Sequence, residues 1–394
     1  MLLDKTITFA NELEEVKKAV YPYFLSVEEN NGPLVKMGNK KIIMMGSNNY
    51  LGLSTDPRVQ QAAQDAISQY GTTNSGSRLM NGHLLLHEEL EWRLAQFFEK
   101  EACLLFTTGF MSNQGTIVPL IGKEDYIYMD KDNHNSIVQG VLISKGIYYS
   151  KKVFRYKHND MRHLEKLLKQ APRKAGKFII TDGVFSMGGD LASIKEIVSL
   201  AKTYQATIMV DDAHGVGVIG EKGQGISHFY GVQDHIDLIT GTFSKSLASI
   251  GGFVVGAKHV IEYLKHHSPS FMFSASMPAS ALAATLQALT IIENEPERIV
   301  KLQENGQKIR KGLQQLGYDV PNGSTPIIPI YTKDDQKTFT LWKRLLEAGV
   351  YTNAVISPAV MPGHQMLRVN VMSTHDPQHI NEALCSFEKV ISYL

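Results

Sequence analysis

The spacing of apolar positions changes along the chain, and each change marks an element. Residues 1–45 read as an amphipathic helix followed by a short strand pair around Gly32-Pro33 and Gly38-Asn39, dipeptides that favour turns. From residue 57 onward, helical windows alternate with short apolar runs. The spacing predicts helices over Pro57 to Tyr70 and His87 to Lys100. The runs Ala102 to Phe106, Lys177 to Thr181, Ala206 to Val210, Leu238 to Thr240 and Gly252 to Gly256 are too short for helices and read as buried strands. Such strands alternating with helices imply an α/β chain with a mostly parallel sheet covered on both faces. A long helix from Pro278 to Asn294 then leads into helices near Glu297 to Leu316 and Gln336 to Ala348, with strands near Ile327 to Tyr331 and Met366 to Val371. The expected organisation is an N-terminal arm over 1–45, a large α/β domain over 46–290 and a smaller α+β domain over 291–394.

Composition narrows the class. The 394 residues carry 40 Lys plus Arg against 39 Asp plus Glu, a formal charge of +1, with 43% hydrophobic and 20% charged residues. This balance excludes a disordered chain, which would hold fewer apolar residues and more net charge. It also argues against a dedicated nucleic-acid binder, whose affinity rests on a basic excess. Cys103 and Cys385 cannot form a disulfide framework and fit a reducing compartment. The N-terminus lacks an apolar signal core, and no stretch approaches the roughly 18 to 20 apolar residues of a membrane span. A cytoplasmic location is expected.

In an open α/β sheet ligands bind beyond the carboxyl ends of the strands, so the residues after each run matter most. Thr107-Thr108-Gly109-Phe110 follows the first run, and Asp182-Gly183-Val184-Phe185-Ser186 follows another. Asp211-Asp212-Ala213-His214-Gly215 and Gly241-Thr242-Phe243-Ser244-Lys245 follow two more. Taken alone, Asp211-Asp212 is equally a helix cap. His134 reads either as a helix-start histidine or as an aromatic plate over a flat ligand. Lys245 lies between an apolar strand and Gly251-Gly252-Phe253-Val254, a setting that depresses an amine's pKa and makes it nucleophilic. A lysine for a Schiff base, an aspartate for a pyridine nitrogen and helix-start amides for a phosphate together call for pyridoxal phosphate. Lys245 comes 34 residues after Asp211, which leaves room for one helix and one strand.

These motifs, with Ser47-Asn48-Asn49-Tyr50-Leu51-Gly52-Leu53 and Phe273-Ser274-Ala275-Ser276, resemble the α-oxoamine synthases in order along essentially the whole chain. Those are fold-type I enzymes, aspartate aminotransferase-like, that use pyridoxal phosphate to condense an amino acid with an acyl-CoA and lose carbon dioxide. The resemblance implies that Lys245 holds the cofactor aldehyde, Asp211 pairs with the ring nitrogen, His214 bonds the ring hydroxyl with Ser186 nearby, and His134 stacks on the ring. It assigns the phosphate to Gly109, Phe110 and Thr242, with Ser274 reaching across from a second subunit of a homodimer. It assigns the amino-acid carboxylate to Asn48 and Arg368, and places Tyr50 and Ser77 on the substrate side. Within the family, Thr242-Phe243-Ser244-Lys245-Ser246 and Gly76-Ser77-Arg78-Leu79-Met80-Asn81-Gly82-His83 look like the soluble bacterial serine palmitoyltransferases, implying L-serine and a long-chain acyl-CoA as substrates, with 8-amino-7-oxononanoate synthase or 2-amino-3-ketobutyrate CoA ligase as the alternative. Peripheral membrane association would suit a lipid-like product.

Rival signals are weaker. Gly215-Val216-Gly217-Val218-Ile219-Gly220 matches the dinucleotide fingerprint, but Glu221-Lys222-Gly223 is a poor helix start. His83 and His87, four apart, have zinc-like spacing without a third ligand and read better as a helix start. Ser186 lacks the first glycine of a nucleophile elbow. An inactive partner subunit would be free to lose Lys245, Asp211 and His214, and all three are present.

Overall fold

The computed structural model describes residues 1–148 and 152–393. Its chain divides into two compact units, one built from Met1–Ser47 and Leu302–Leu394, the other from Asn48–Lys301.

The Asn48–Lys301 unit is built on a seven-stranded sheet. From one edge to the other its strands are Ala102–Phe106, Gly252–Gly256, Leu238–Thr242, Thr207–Asp211, Lys177–Asp182, Tyr126–Asp130 and Val153–Tyr156. Five of these pair in parallel, and Gly252–Gly256 runs antiparallel to both neighbours, so the sheet is mostly parallel as expected. Strands Lys177–Asp182, Leu238–Thr242 and Gly252–Gly256 are buried along their whole length, which is why their sequences are apolar runs without alternation. Leu104, Ile127, Ile180, Met209 and Val254 from five strands form one core with Ile117, Ile137 and Leu264 from helices.

Helices in this unit start where side chains can satisfy their first amides. Asp56 accepts from the Arg58 N–H ahead of Pro57–Tyr70, whose first position is proline. Thr108 accepts from the Met111 N–H at the start of Gly109–Leu120. Gly252 is required where it stands, because a Cβ there would lie 2.6 Å from the Gly109 Cα. Strand packing and the start of that helix are therefore interlocked.

The other unit takes in both ends of the chain. Strands Glu29–Asn31, Leu34–Met37 and Lys40–Met44 form a meander, and Val350–Tyr351 adds to it in parallel beside Ile43 and Met44. A three-stranded antiparallel sheet of Ile327–Tyr331, Met366–Asn370 and Asn353–Val355 completes its β structure. Ile43 and Met45 share a core with Ile309, Leu341, Leu367 and Phe387, so residues 1–47 group with the C-terminal part, with borders at 47 and 301 where the sequence pattern suggested 45 and 290. No helix among the described residues is long and apolar enough to cross a membrane.

Candidate active site

The carboxyl ends of the parallel strands bring most of the expected residues together. Thr207–Asp211 ends in Asp211, which is buried. Its Oδ2 accepts from the Asn113 side-chain amide at 2.6 Å, and its Oδ1 accepts from the Ala213 N–H at 3.1 Å. Asn113 sits on helix Gly109–Leu120 and is fixed from two further sides. Its carbonyl accepts from the Thr240 hydroxyl at 2.8 Å, and its amide also donates to the Ser136 Oγ at 2.8 Å. Ser136 in turn meets His134 Nδ1 at 2.8 Å. A continuous chain of hydrogen bonds thus runs from Asp211 through Asn113 and Ser136 to His134.

Asp182, at the end of the neighbouring strand, accepts from the His134 backbone N–H at 3.2 Å. Asn133 ties the turn before His134 to this strand's end, donating to the Ile180 carbonyl and accepting from the Asp182 N–H. Burial raises the Asp182 carboxyl well above the usual range, and the negative charge of Asp211 adds to it. Partial burial lowers the His134 imidazole. Asp211 opposes that shift and the positive Lys245 reinforces it. Lys245 thus acts electrostatically on both Asp182 and His134. Its half-buried position lies in the connection from Leu238–Thr242 to Gly252–Gly256, where Phe243 donates to the Gly251 carbonyl at 3.0 Å.

His214 is buried and its Nδ1 lies 2.8 Å from the Tyr50 hydroxyl. That hydroxyl also donates to the Asn48 Oδ1 at 3.3 Å, so Asn48, Tyr50 and His214 form a second connected set. The Thr242 and Ser244 hydroxyls are 2.9 Å apart, and Thr242 packs against Gly109. A Cβ at Gly109 would meet the Thr242 Cβ at 2.6 Å, so only glycine lets the helix start approach those hydroxyls. The Phe110 ring stands edge-on to His134 at 6.3 Å. Ser186 is half-buried in the loop after Lys177–Asp182.

This donor set fits pyridoxal phosphate. A helix N-terminus with crowded glycine and two hydroxyls suits a phosphate, a buried and doubly anchored carboxylate suits a protonated ring nitrogen, and a half-buried lysine suits the aldehyde.

The remaining expected residues belong to other elements. Ser77 pairs with Ala275 in a bridge, and Ser274 lines a small cavity with Arg78 and Thr107. Arg368 is buried in strand Met366–Asn370 of the other unit, between Pro329 and Asn353 in the sheet register. Asn113, Ser136 and Asp182 received no role from the sequence pattern. Polar residues 112, 113 and 116 are buried on a helix of otherwise apolar character, and such an inversion is the signal that identifies Asn113.

The structure also accounts for the rival motifs. The glycine-rich run is a loop rather than a helix start, with Gly217 and Gly220 at φ +70° and +88°. The glycines around it serve Asp212. A Cβ at Gly215 would fall 1.8 Å from its Oδ1, and one at Gly225 would fall 1.9 Å from its Oδ2. Fully buried, Asp212 is pushed up to about 7 by burial, with the Ile226 N–H opposing and Asp211 adding. His87 Nδ1 accepts from the Leu84 N–H at the start of helix Leu85–Phe97, which is the helix-start role.

The family model for class I and II aminotransferases matches residues 40–387. A serine palmitoyltransferase from Sphingobacterium spiritivorum is 46% identical over 97% of this chain and 95% of its own length. A Sphingomonas wittichii serine palmitoyltransferase structure superposes with a TM-score of 0.94 at 33% identity, covering 99% of this chain and 98% of that one. A serine palmitoyltransferase from S. paucimobilis, solved with a bound PLP–myriocin aldimine, superposes with a TM-score of 0.93 at 30% identity, covering 98% and 97%.

Proposed function

The chain belongs to the class I and II aminotransferase family and has the fold of its type I pyridoxal phosphate members, and on that premise we propose that it condenses L-serine with palmitoyl-CoA. The products are 3-ketodihydrosphingosine, CoA and carbon dioxide. Similarity to serine palmitoyltransferases over nearly the whole chain supports the substrate pair. The observation that carries the chemistry is the connected set of Asp211, Asn113, Ser136 and His134, with Lys245 acting on it electrostatically.

The cofactor, when bound, supplies an aldehyde for the amino-acid nitrogen and a ring that takes up the electron pair left at Cα. Every other task belongs to the protein. Lys245 would hold the aldehyde, and its amine, when free, would take the Cα proton. Asp211, held in place by Asn113 and the Ala213 N–H, keeps a negative charge opposite the ring nitrogen. His134 would cover the ring, and His214 with Tyr50 would hold its hydroxyl. Gly109, Phe110 and Thr242 take the phosphate, with Ser274 from a second copy of the chain. Asn48 and Arg368 orient the carboxylate, for which a guanidinium's planar fork is suited. The Cα–C bond then forms at the thioester carbonyl as the C–S bond breaks, and loss of carbon dioxide precedes return of a proton to Cα. We infer a cytoplasmic homodimer.

The test titrates the holoenzyme with L-serine, L-alanine and glycine, with palmitoyl-CoA present. Serine should saturate the visible absorbance change and support turnover. Saturating turnover with alanine or glycine in its place would overturn the substrate assignment.

A further inference from the structure

The segment His158-Asn159-Asp160 follows the edge strand Val153–Tyr156 and lies outside every residue set discussed above. It holds two loops at once. The His158 Nδ1 is 3.0 Å from Asp130 Oδ1, and its Nε2 is 2.7 Å from Asp190 Oδ2. Asp130 ends strand Tyr126–Asp130, and the turn that follows delivers His134. Asp190 closes the loop that carries Ser186, where Phe185 donates to the Asp190 carbonyl at 2.9 Å. Asn159 fastens the same two loops through its backbone and side chain. Its N–H donates to Asp130 Oδ2 at 2.9 Å, its amide donates to the Leu191 carbonyl at 3.0 Å, and its carbonyl accepts from the Ser193 N–H. The His158 ring also stands edge-on against Phe185 at 4.4 Å.

We propose that His158, clamped between Asp130 and Asp190, is a positioning residue that locks the turn carrying His134 to the loop carrying Ser186. The inference rests on the cofactor site proposed above, because its purpose is to set the spacing of two groups around the ring. A neutral imidazole has a single N–H, whereas both ring nitrogens here face carboxylates, so only the doubly protonated ring donates to both. Burial works against that charge. The hydrogen bonds and charges of Asp130 and Asp190 outweigh it and hold the group at about 10. The other charged neighbour is Asp132, whose Oδ2 lies 3.7 Å from Nδ1. Tyr156, buried behind Asp130, is raised by its own burial and then by that aspartate. Ligand atoms of Asp130, Asp132 and His158 come within 4.8 Å of one another, but a metal ion among them would have to take Nδ1 away from Asp130.

The test compares wild-type holoenzyme with His158→Gln. The variant should still show the visible absorbance of the lysine-bound cofactor, since Lys245 is intact. Its kcat should fall by about 10- to 100-fold, the scale of a displaced catalytic group. It should also lose the decline in melting temperature that the wild type shows between pH 7 and 10, which a purely packing role would not affect. Equal melting losses at every pH with unchanged kcat would overturn the proposal. So would a stoichiometric divalent metal in the wild type that is absent from the variant. Should His158→Gln fail to fold, Asp190→Asn keeps the Asp130 contact and should move kcat and the pH profile in the same direction by less; no movement overturns the proposal. The melting profile needs no turnover, so an enzyme inactive with serine would discredit the substrate reading while this arm still decides the clamp.

Discussion

His134 and His158 follow the same sheet's carboxyl edge and both lie near aspartates, yet their imidazoles shift in opposite directions. The difference lies in what touches each ring. The Nδ1 of His134 meets the neutral Ser136 hydroxyl, its aspartate influence acts at a distance, and the Lys245 amine repels its proton. Both nitrogens of His158 bond carboxylates directly. Direct contact outweighs burial, and distant charge does not. The same side chain is thereby biased toward the neutral form in the proposed cofactor site and toward the charged form where it meets two loops.

The comparison breaks most visibly at Asp130. Its buried carboxylate accepts from His158, the Asp132 N–H and the Asn159 N–H, so Asp130→Asn should cost about 3 kcal/mol in urea unfolding. A loss under about 0.5 kcal/mol would show that the clamp is not charge-based. Next comes Asn113→Ala, which strands a buried acceptor on Asp211 and a buried donor on the Thr240 hydroxyl; about 2 kcal/mol of stability should go. Cofactor titration of that variant should show weaker binding, and unchanged affinity would detach Asn113 from the site.

The pH dependence is subtler. His158 has a raised native pKa of about 10 against an ordinary 6.5, so its contribution is complete below 6.5 and is lost as pH rises through 10. Asp190→Asn should bring that loss to lower pH, measurable as melting temperature across the range. The smallest effect is expected for Ser136→Ala. It removes a neutral partner of His134 and should cost about 1 kcal/mol or less, leaving the His134 imidazole resonance titrating below the ordinary range. A His134 that titrates upward instead would erase the contrast with His158.

Legibility in the sequence followed burial. Ala102–Phe106 and Gly252–Gly256 coincide with their apolar runs because no polar residue dilutes them. The strands Tyr126–Asp130 and Val153–Tyr156 escaped notice, since two tyrosines dilute the first and Arg155 interrupts the second, the edge strand. Strand direction leaves no trace in apolar spacing. The short connection from Thr242 to Gly252 nevertheless points to the antiparallel turn, because a parallel crossover needs about a dozen residues or more. In the site, the charged and glycine-rich residues were legible because their chemistry is distinctive. Asn113 and Ser136 act only by linking others, and a linking role depends on three-dimensional neighbours that one chain position does not encode. Asp130, His158 and Asp190 were missed for the same reason, being brought together from one strand end and two separate loops.

The unit that joins both chain ends has a consequence for how the protein is made. Ile43 pairs with Val350 across some 300 residues of intervening chain, so the first strands leave the ribosome long before their partner exists. The continuous Asn48–Lys301 segment holds all seven of its strands and can assemble first. Until the C-terminal residues arrive, Ile43 and Met45 remain without the core that later covers them, and the nascent chain carries that apolar surface uncovered.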